Sequence, residues 1–257
     1  MRVGLQARCK VIVSGAIVAA LVACSGPPEG PPLLRWYVYA ERSGAFAAAA
    51  AACTADAAGR YRVEMAPLPA DADQQREQLV RRLAAGDDDI DLVGMDVIWT
   101  AEFAEAGWIL PWPAAPADRA RSDRLASAID SATYKERLWA IPYTTNTQLL
   151  WYRTDRVPAP PAPWDQMIDM AEALGEQGTI QAQGERYEGL TVFFVSLLAS
   201  AGGAVLVPDG QGADLDPGST RRALEVLQRL AGSPASDPAL STAREDQGRL
   251  AFESGDA

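Results

Sequence analysis

The sequence predicts an α/β fold built on a parallel sheet. Three features lead there. β-rich and helix-forming stretches alternate from residue 33 onward, and the third β-rich stretch is apolar almost throughout. A rigid proline-rich connector at 154–164 then separates this pattern from a second texture dominated by helices.

The elements follow in order. "LLRWYVYA" (33–40) reads as a strand, and "ERSGAFAAAAAACTADAAG" (41–59) as a helix closed at Gly59. "YRVEMAPLP" (61–69) is a second strand, with Val63 and Met65 at period two. "ADQQREQLVRRLAAGD" (72–87) is an amphipathic helix carrying Leu79, Val80 and Leu83 on one face. "DIDLVGMDV" (89–97) reads as a strand buried on both sides. Such alternation implies parallel strands joined by right-handed crossovers.

A helix over 99–107 follows, then a proline-rich surface stretch, "LPWPAAPAD" (110–118), and a helix over about 118–131. "RLWAIPYTTNTQLLWYR" (137–153) reads as a strand pair. Beyond the connector, "WDQMIDMAEALGEQG" (164–178) is a helix with Asp165 at the positive end of its dipole. "GLTVFFVSLLASAGGAVL" (189–206) is an apolar helix closed by Gly202 and Gly203. "DPGSTRRALEVLQRLAGS" (216–233) is amphipathic, with Leu224, Leu227 and Leu230 expected inward. No internal repeat at a fixed period is present.

Composition narrows the function classes. The net charge is −11, with 23 basic against 34 acidic residues. Arg2, Arg8 and Lys10 stand near the N-terminus without a neighbouring acid, so the rest of the chain is more acidic still. Such a surface repels nucleic acid and anionic membranes, and no nucleic-acid partner is expected. The chain holds no histidine, which removes Ser–His and Cys–His nucleophiles and most zinc or copper sites. No metal or cofactor site is expected. "DDDID" (87–91) lacks the alternating ligands and glycine of an EF-hand loop and reads as a solvated turn.

The first residues have the form of an export signal: a positive start, then an apolar run from Val11 to Ala23 too short to span a membrane. Leu21-Val22-Ala23-Cys24 resembles a bacterial lipobox, which implies cleavage before Cys24 and lipid on its sulfur; an ordinary signal or membrane anchor is the alternative. The predicted organisation is a lipoprotein signal over 1–23, a Pro/Gly tether over 24–32, a first α/β lobe over 33–146 and a partial second lobe over 147–257. Cys53, the one cysteine left over, reads as a small core residue of an alanine-rich helix.

Together with the lipobox, "MDVIWTAEFAEAGW" (95–108), "IPYTTNTQLLWYR" (141–153), the "WDQM" helix after a proline-rich link, and "GRLAFESGDA" (248–257) resemble one known family. They are similar to the extracellular solute-binding proteins of sugar ABC importers, in the maltose/trehalose cluster, and within it to trehalose-recycling lipoproteins of actinobacterial type. The resemblance implies a periplasmic-binding-protein-like type II fold, two lobes joined by a hinge. It implies a non-catalytic, monomeric protein whose partners are a sugar ligand and importer permease subunits, held at the outer face of the cytoplasmic membrane by lipid alone. Family members continue well past the last of these stretches, so the sequence is expected to lack most of its second half, including the main sugar-stacking aromatics.

Sugar hydroxyls call for planar polar groups, which cluster at the carboxyl ends of strands in open α/β sheets. Glu41 follows the first strand, Asp96 ends the third, Gln75 opens the helix after the second, and Asn146 lies in "TTNT". The resemblance places first-lobe sugar contacts on Gln75, Asp96 and Asn146, and less directly on Glu41. Each position also has a plainer reading. Asp96 suits a helix N-cap, Glu41 suits the dipole of the helix it precedes, Gln75 suits a solvated helix face, and Asn146 suits a crossing backbone. Trp99 and Trp108 read as packing residues. A solute other than sugar, such as a peptide, stays open; absence of histidine and of a tyrosine cluster disfavours iron. A carboxylate-pair glycosidase would have to use Glu41 and Asp96.

Overall fold

The computed structural model describes residues 30–257 except 208, 209 and 211. The signal, Cys24 and most of the tether lie outside the described residues. The described chain gathers into two compact units: one from the residues up to Ala70 with Glu77–Asp96, the other from Asp71–Arg76 with Val97–Ala257.

The first unit is a three-stranded parallel sheet. β1 (Leu33–Tyr39) leads through α1 (Ala45–Asp56) to β2 (Arg62–Leu68), and α2 (Ala72–Ala84) leads on to β3 (Leu92–Val93). The strand order is β2-β1-β3, so β1 is the centre. Leu33 stands opposite Arg62 and Tyr39 opposite Leu68, while Trp36 and Tyr37 stand opposite Leu92 and Val93. Tyr37, Val38, Leu68 and Leu79 are buried. Phe46 of α1 packs its ring 5.3 Å from Trp36 and 5.4 Å from Tyr39.

Two expectations fail in this unit. The third strand is two residues long, and Leu92 is 37% exposed, because β3 pairs with β1 along one edge only among the described residues. Cys53 is exposed rather than buried. α1 is alanine on nearly every side, so its sequence has no apolar stripe to show which face turns inward; Phe46 and Ala50 define that face. The "DDDID" turn is tied down by Arg82 and Arg35. Asp87 accepts from Arg82 at 2.6 Å, Asp89 pairs with Arg35, and Asp91 accepts from the Arg35 amide at 2.7 Å.

In the second unit, a 3-10 turn (Val97–Trp99) runs into α3 (Thr100–Glu105). Trp99 is 3% exposed and stacks on Phe103 at 6.0 Å, and Trp108 meets Phe103 edge-on at 5.5 Å, so both tryptophans are packing residues. The expected helix over 118–131 is two helices, α4 (Ala114–Asp123) and α5 (Ala126–Ser131). The Ser122 hydroxyl turns back to the Arg119 carbonyl and to Asp123, and Arg124 is extended, which ends the first helix. α4 also begins inside the proline-rich stretch. Pro113 is its N-cap, and Pro116 is tolerated because first-turn amides have no helical acceptor.

The strand pair expected within 137–153 does not form; only Arg137–Leu138 is strand, and its partner lies before that range. β4 (Thr133–Tyr134) and β5 (Arg137–Leu138) make a hairpin whose turn residues, Lys135 and Glu136, both take positive φ, 47° and 62°. Beyond Trp139 no regular ladder continues among the described residues, and Leu149 and Trp151 are exposed. An extended segment becomes a strand only where another backbone supplies its hydrogen bonds.

α6 (Trp164–Leu174), α7 (Glu188–Ser200), α8 (Pro217–Gly232) and α9 (Glu245–Ser254) complete the unit. α7 stops well before residue 206, and Gly202 takes a left-handed φ of 83° just beyond it. α8 starts on an Asp216 cap, whose carboxylate accepts the Ser219 amide at 2.8 Å, with Pro217 in the first turn. Ile168, Phe193, Leu197, Leu198, Ala223 and Leu230 form the core, with Val226 and Leu227 packed against it. Leu224, expected inward, is 51% exposed. The buried stripe runs through Ser219, Ala223, Val226, Leu227 and Leu230, so the small residue before Leu224 marks the true face.

This division of α8 and α7 is testable by denaturant unfolding. Leu198→Ala is expected to cost about 2–5 kcal/mol, as for a fully buried leucine. Leu224→Ala should stay within about 0.5 kcal/mol of the parent. Equal losses would contradict the assigned faces.

Candidate ligand-binding site

Order β2-β1-β3 means that the chain leaves β1 toward one side and later returns on its other side. Loops after β1 and β3 therefore diverge, and such a switch point leaves a crevice at the carboxyl ends of the two strands. Glu41 lies two residues beyond β1 and Asp96 three beyond β3. Because Tyr37 is level with Val93, the two carboxylates follow the same end of the sheet.

Glu41 is occupied by its own helix. One carboxylate oxygen accepts the Ser43 amide and hydroxyl, and the other accepts the Phe46 amide at 3.1 Å. The Ser43 hydroxyl first, and the Phe46 amide second, hold this carboxyl below the usual range, although burial opposes them. Glu41 thus serves the amino end of α1 as an ionised acceptor, which is the opposite of what a general acid needs. Asp96 is half-buried and directly precedes the 3-10 turn.

Gln75 and Asn146 belong to the second unit. Gln75 is 8% exposed, so the solvated-face reading of this residue fails. It sits in the first turn of α2, where Asp71 is the cap: its carboxylate accepts the Gln74 amide at 3.1 Å and its carbonyl the Gln75 amide at 3.0 Å. Asn146 is exposed, in the irregular segment beyond the β4–β5 hairpin.

One constellation has no signature in the sequence. Arg244 makes a fork to Glu185, with Nε and Nη2 both 2.6 Å from the carboxylate, while Nη1 is 3.3 Å from Asp71. Its guanidinium also lies over the Tyr187 ring, 4.5 Å from the centroid. Hydrogen bonding from Arg244 holds the Glu185 carboxyl below its usual range, and burial, then Glu245, pushes the Tyr187 hydroxyl up. Gly189 leaves room for that hydroxyl, since a Cβ there would fall 2.1 Å from it. Asp71 before a helix is a readable cap signal; its partner 173 residues away is not. Among the described residues, no group of three or more His, Cys, Asp or Glu could hold a metal ion. None of the described helices is long and apolar enough to cross a membrane.

Comparison with known proteins adds to this geometry. Residues 42–257 match the family described as bacterial extracellular solute-binding protein. A probable ABC transporter-binding protein of Deinococcus radiodurans is 27% identical over 76% of this chain and 49% of its own length. A mannitol-binding protein of Pseudomonas aeruginosa is 27% identical over 58% of this chain and 37% of its own. The chain therefore spans about half the length, or less, of these curated relatives. Among solved structures, maltose-bound MalE3 of T. maritima is 25% identical with a TM-score of 0.70, covering 86% of this chain and 58% of that one.

The Glu41 cap carries a pH signature. A carboxyl depressed by folding stabilises fully above its unfolded pKa, near the ordinary 4.5, and that contribution is lost as pH falls through the folded value. Glu41→Gln should therefore lower the unfolding midpoint near neutral pH, and the gap to the parent should close in acid. A gap that does not change with pH would remove the carboxylate from this role.

Proposed function

The chain belongs to the family of bacterial extracellular solute-binding proteins, and from that premise we propose that it captures a sugar for an ABC importer and hands it to the permease. Its architecture is that of the α/β, type II periplasmic binding proteins. The observation that carries the proposal is the placing of Glu41 and Asp96 beyond neighbouring parallel strands that flank a topological switch point. Asp96 accepts sugar hydroxyls there; in the second unit, Asn146 and Gln75 are the proposed amide contacts, able both to donate and to accept. Glu41 contributes through its fixed negative charge and its hold on the amino end of α1.

The ligand is a disaccharide such as trehalose or maltose. A maltose-bound structure and a mannitol-binding relative support a ligand with vicinal hydroxyls. Capture is non-catalytic and proceeds by closure of a two-lobed fold, with a first lobe over 33–146 and a second from 147 onward. Lipid on Cys24 keeps the protein, a monomer, at the outer face of the cytoplasmic membrane, where tethering raises its effective concentration at the permease.

A glycosidase reading is weaker because both oxygens of Glu41, one of its two carboxylates, are taken by donors at the amino end of α1. A thermal-shift panel of disaccharides, polyols and oligopeptides tests the ligand class. Stabilisation by peptides alone, or release of reducing sugar, would overturn the proposal.

Asp96→Ala and Asn146→Ala are each expected to weaken sugar affinity more than about tenfold, the loss of one or two hydrogen bonds to a bound ligand, while leaving the unfolding midpoint nearly unchanged. Titration calorimetry on the intact protein reads this. Unchanged affinity in both variants would displace the site.

A further inference from the structure

The first turn of α2 does not group with the rest of its helix. Asp71–Arg76 clusters with the second unit, while Glu77 onward clusters with the first. Two arginine–carboxylate pairs hold that turn within the second unit. Arg76, inside the turn, donates from Nε to Glu102 of α3 at 2.9 Å. Asp71, at its start, pairs with Arg244 just before α9. Between the two pairs stands the buried Gln75.

Arg244 is itself held on several sides. Its backbone amide donates to Gln247 at 3.1 Å, its carbonyl accepts from Gly248, and its fork and face are taken by Glu185 and Tyr187. A planar fork already seated on one carboxylate presents its remaining nitrogen in a set direction. That nitrogen meets the residue whose other carboxylate oxygen and carbonyl accept the Gln74 and Gln75 amides.

We infer that Arg244 is a positioning residue, which acts through Asp71 to hold the first turn of α2 and the Gln75 side chain in place. The inference rests on Gln75 being a ligand contact, as proposed above, for its functional meaning. Its structural part stands on the ion pairs alone. Arg244 and Gln75 lie far apart in sequence, so the device couples the segment before α9 to the presentation of a ligand group.

Hydrogen exchange on the full chain without ligand tests it directly. Asp71→Asn keeps a capping oxygen but removes the charge that Arg244 meets, and Arg244→Gln removes the fork. Each should speed exchange of the Gln74 and Gln75 amides on the order of tenfold, the loss of one charged hydrogen bond. Amides of Leu79–Ala84 and Ala223–Leu230 should not change, and the double variant should be no faster than either single one. No change in Arg244→Gln, or an equal rise everywhere, would overturn the inference. Because no ligand is present, that result is independent of whether a sugar binds. In the calorimetric panel, both variants should weaken sugar binding by the same factor. A loss in Arg244→Gln alone would mean that Arg244 touches the ligand itself, and the positioning role would fall.

Discussion

The first unit depends on a backbone constraint. β1 is apolar and central, so its amides and carbonyls need partners along both edges. β2 supplies a seven-residue parallel ladder on one side. On the other side a two-residue strand is enough, because the Asp91 carboxylate and the amides of Asp91 and Gly94 extend the pairing beyond it. With β1 fixed between them, the loops after β1 and β3 must part, and the two carboxylates of the candidate site follow from that parting.

The second unit has little sheet, and its cohesion comes from helix packing laced with arginine–carboxylate pairs. Arg229 of α8 meets Asp165 and Asp169 of α6, one helical turn apart, alongside the apolar contact between these helices. Exposed pairs of this kind add little stability, but a planar fork shared by two acids sets the rotation of one helix against the other. Arg244 works by the same geometry on Glu185 and Asp71. Charge here specifies direction more than it supplies energy.

The places where reading and structure part company share a cause. Leu224 reads as a core residue because leucines near it recur at helical spacing, and Cys53 because it is a small residue in an alanine-rich helix. In α8 the inward face is marked by Ala223, and in α1 by Phe46 and Ala50; alanine spacing is hard to read because small residues suit both core and surface. Residues 139–153 have strand composition and no continuing ladder, since β propensity is a preference for a half-buried, paired surface and not for a backbone shape by itself. Glu41 reads as facing a ligand or a helix end, and its carboxylate accepts the Phe46 amide at the amino end of α1.

By itself the sequence determined the succession β1–α1–β2–α2–β3, the helices of the second half and the family, because these rest on local periodicity, capping residues and short motifs. It also placed Asp96 and Glu41 after strands and Gln75 early in a helix. Tertiary structure alone decided the strand order, the burial of Gln75 and the meeting of Arg244 with Asp71 and Glu185. These depend on which distant segments share a surface. A single side chain's charge or polarity is the same whether its partner stands three residues away or 173.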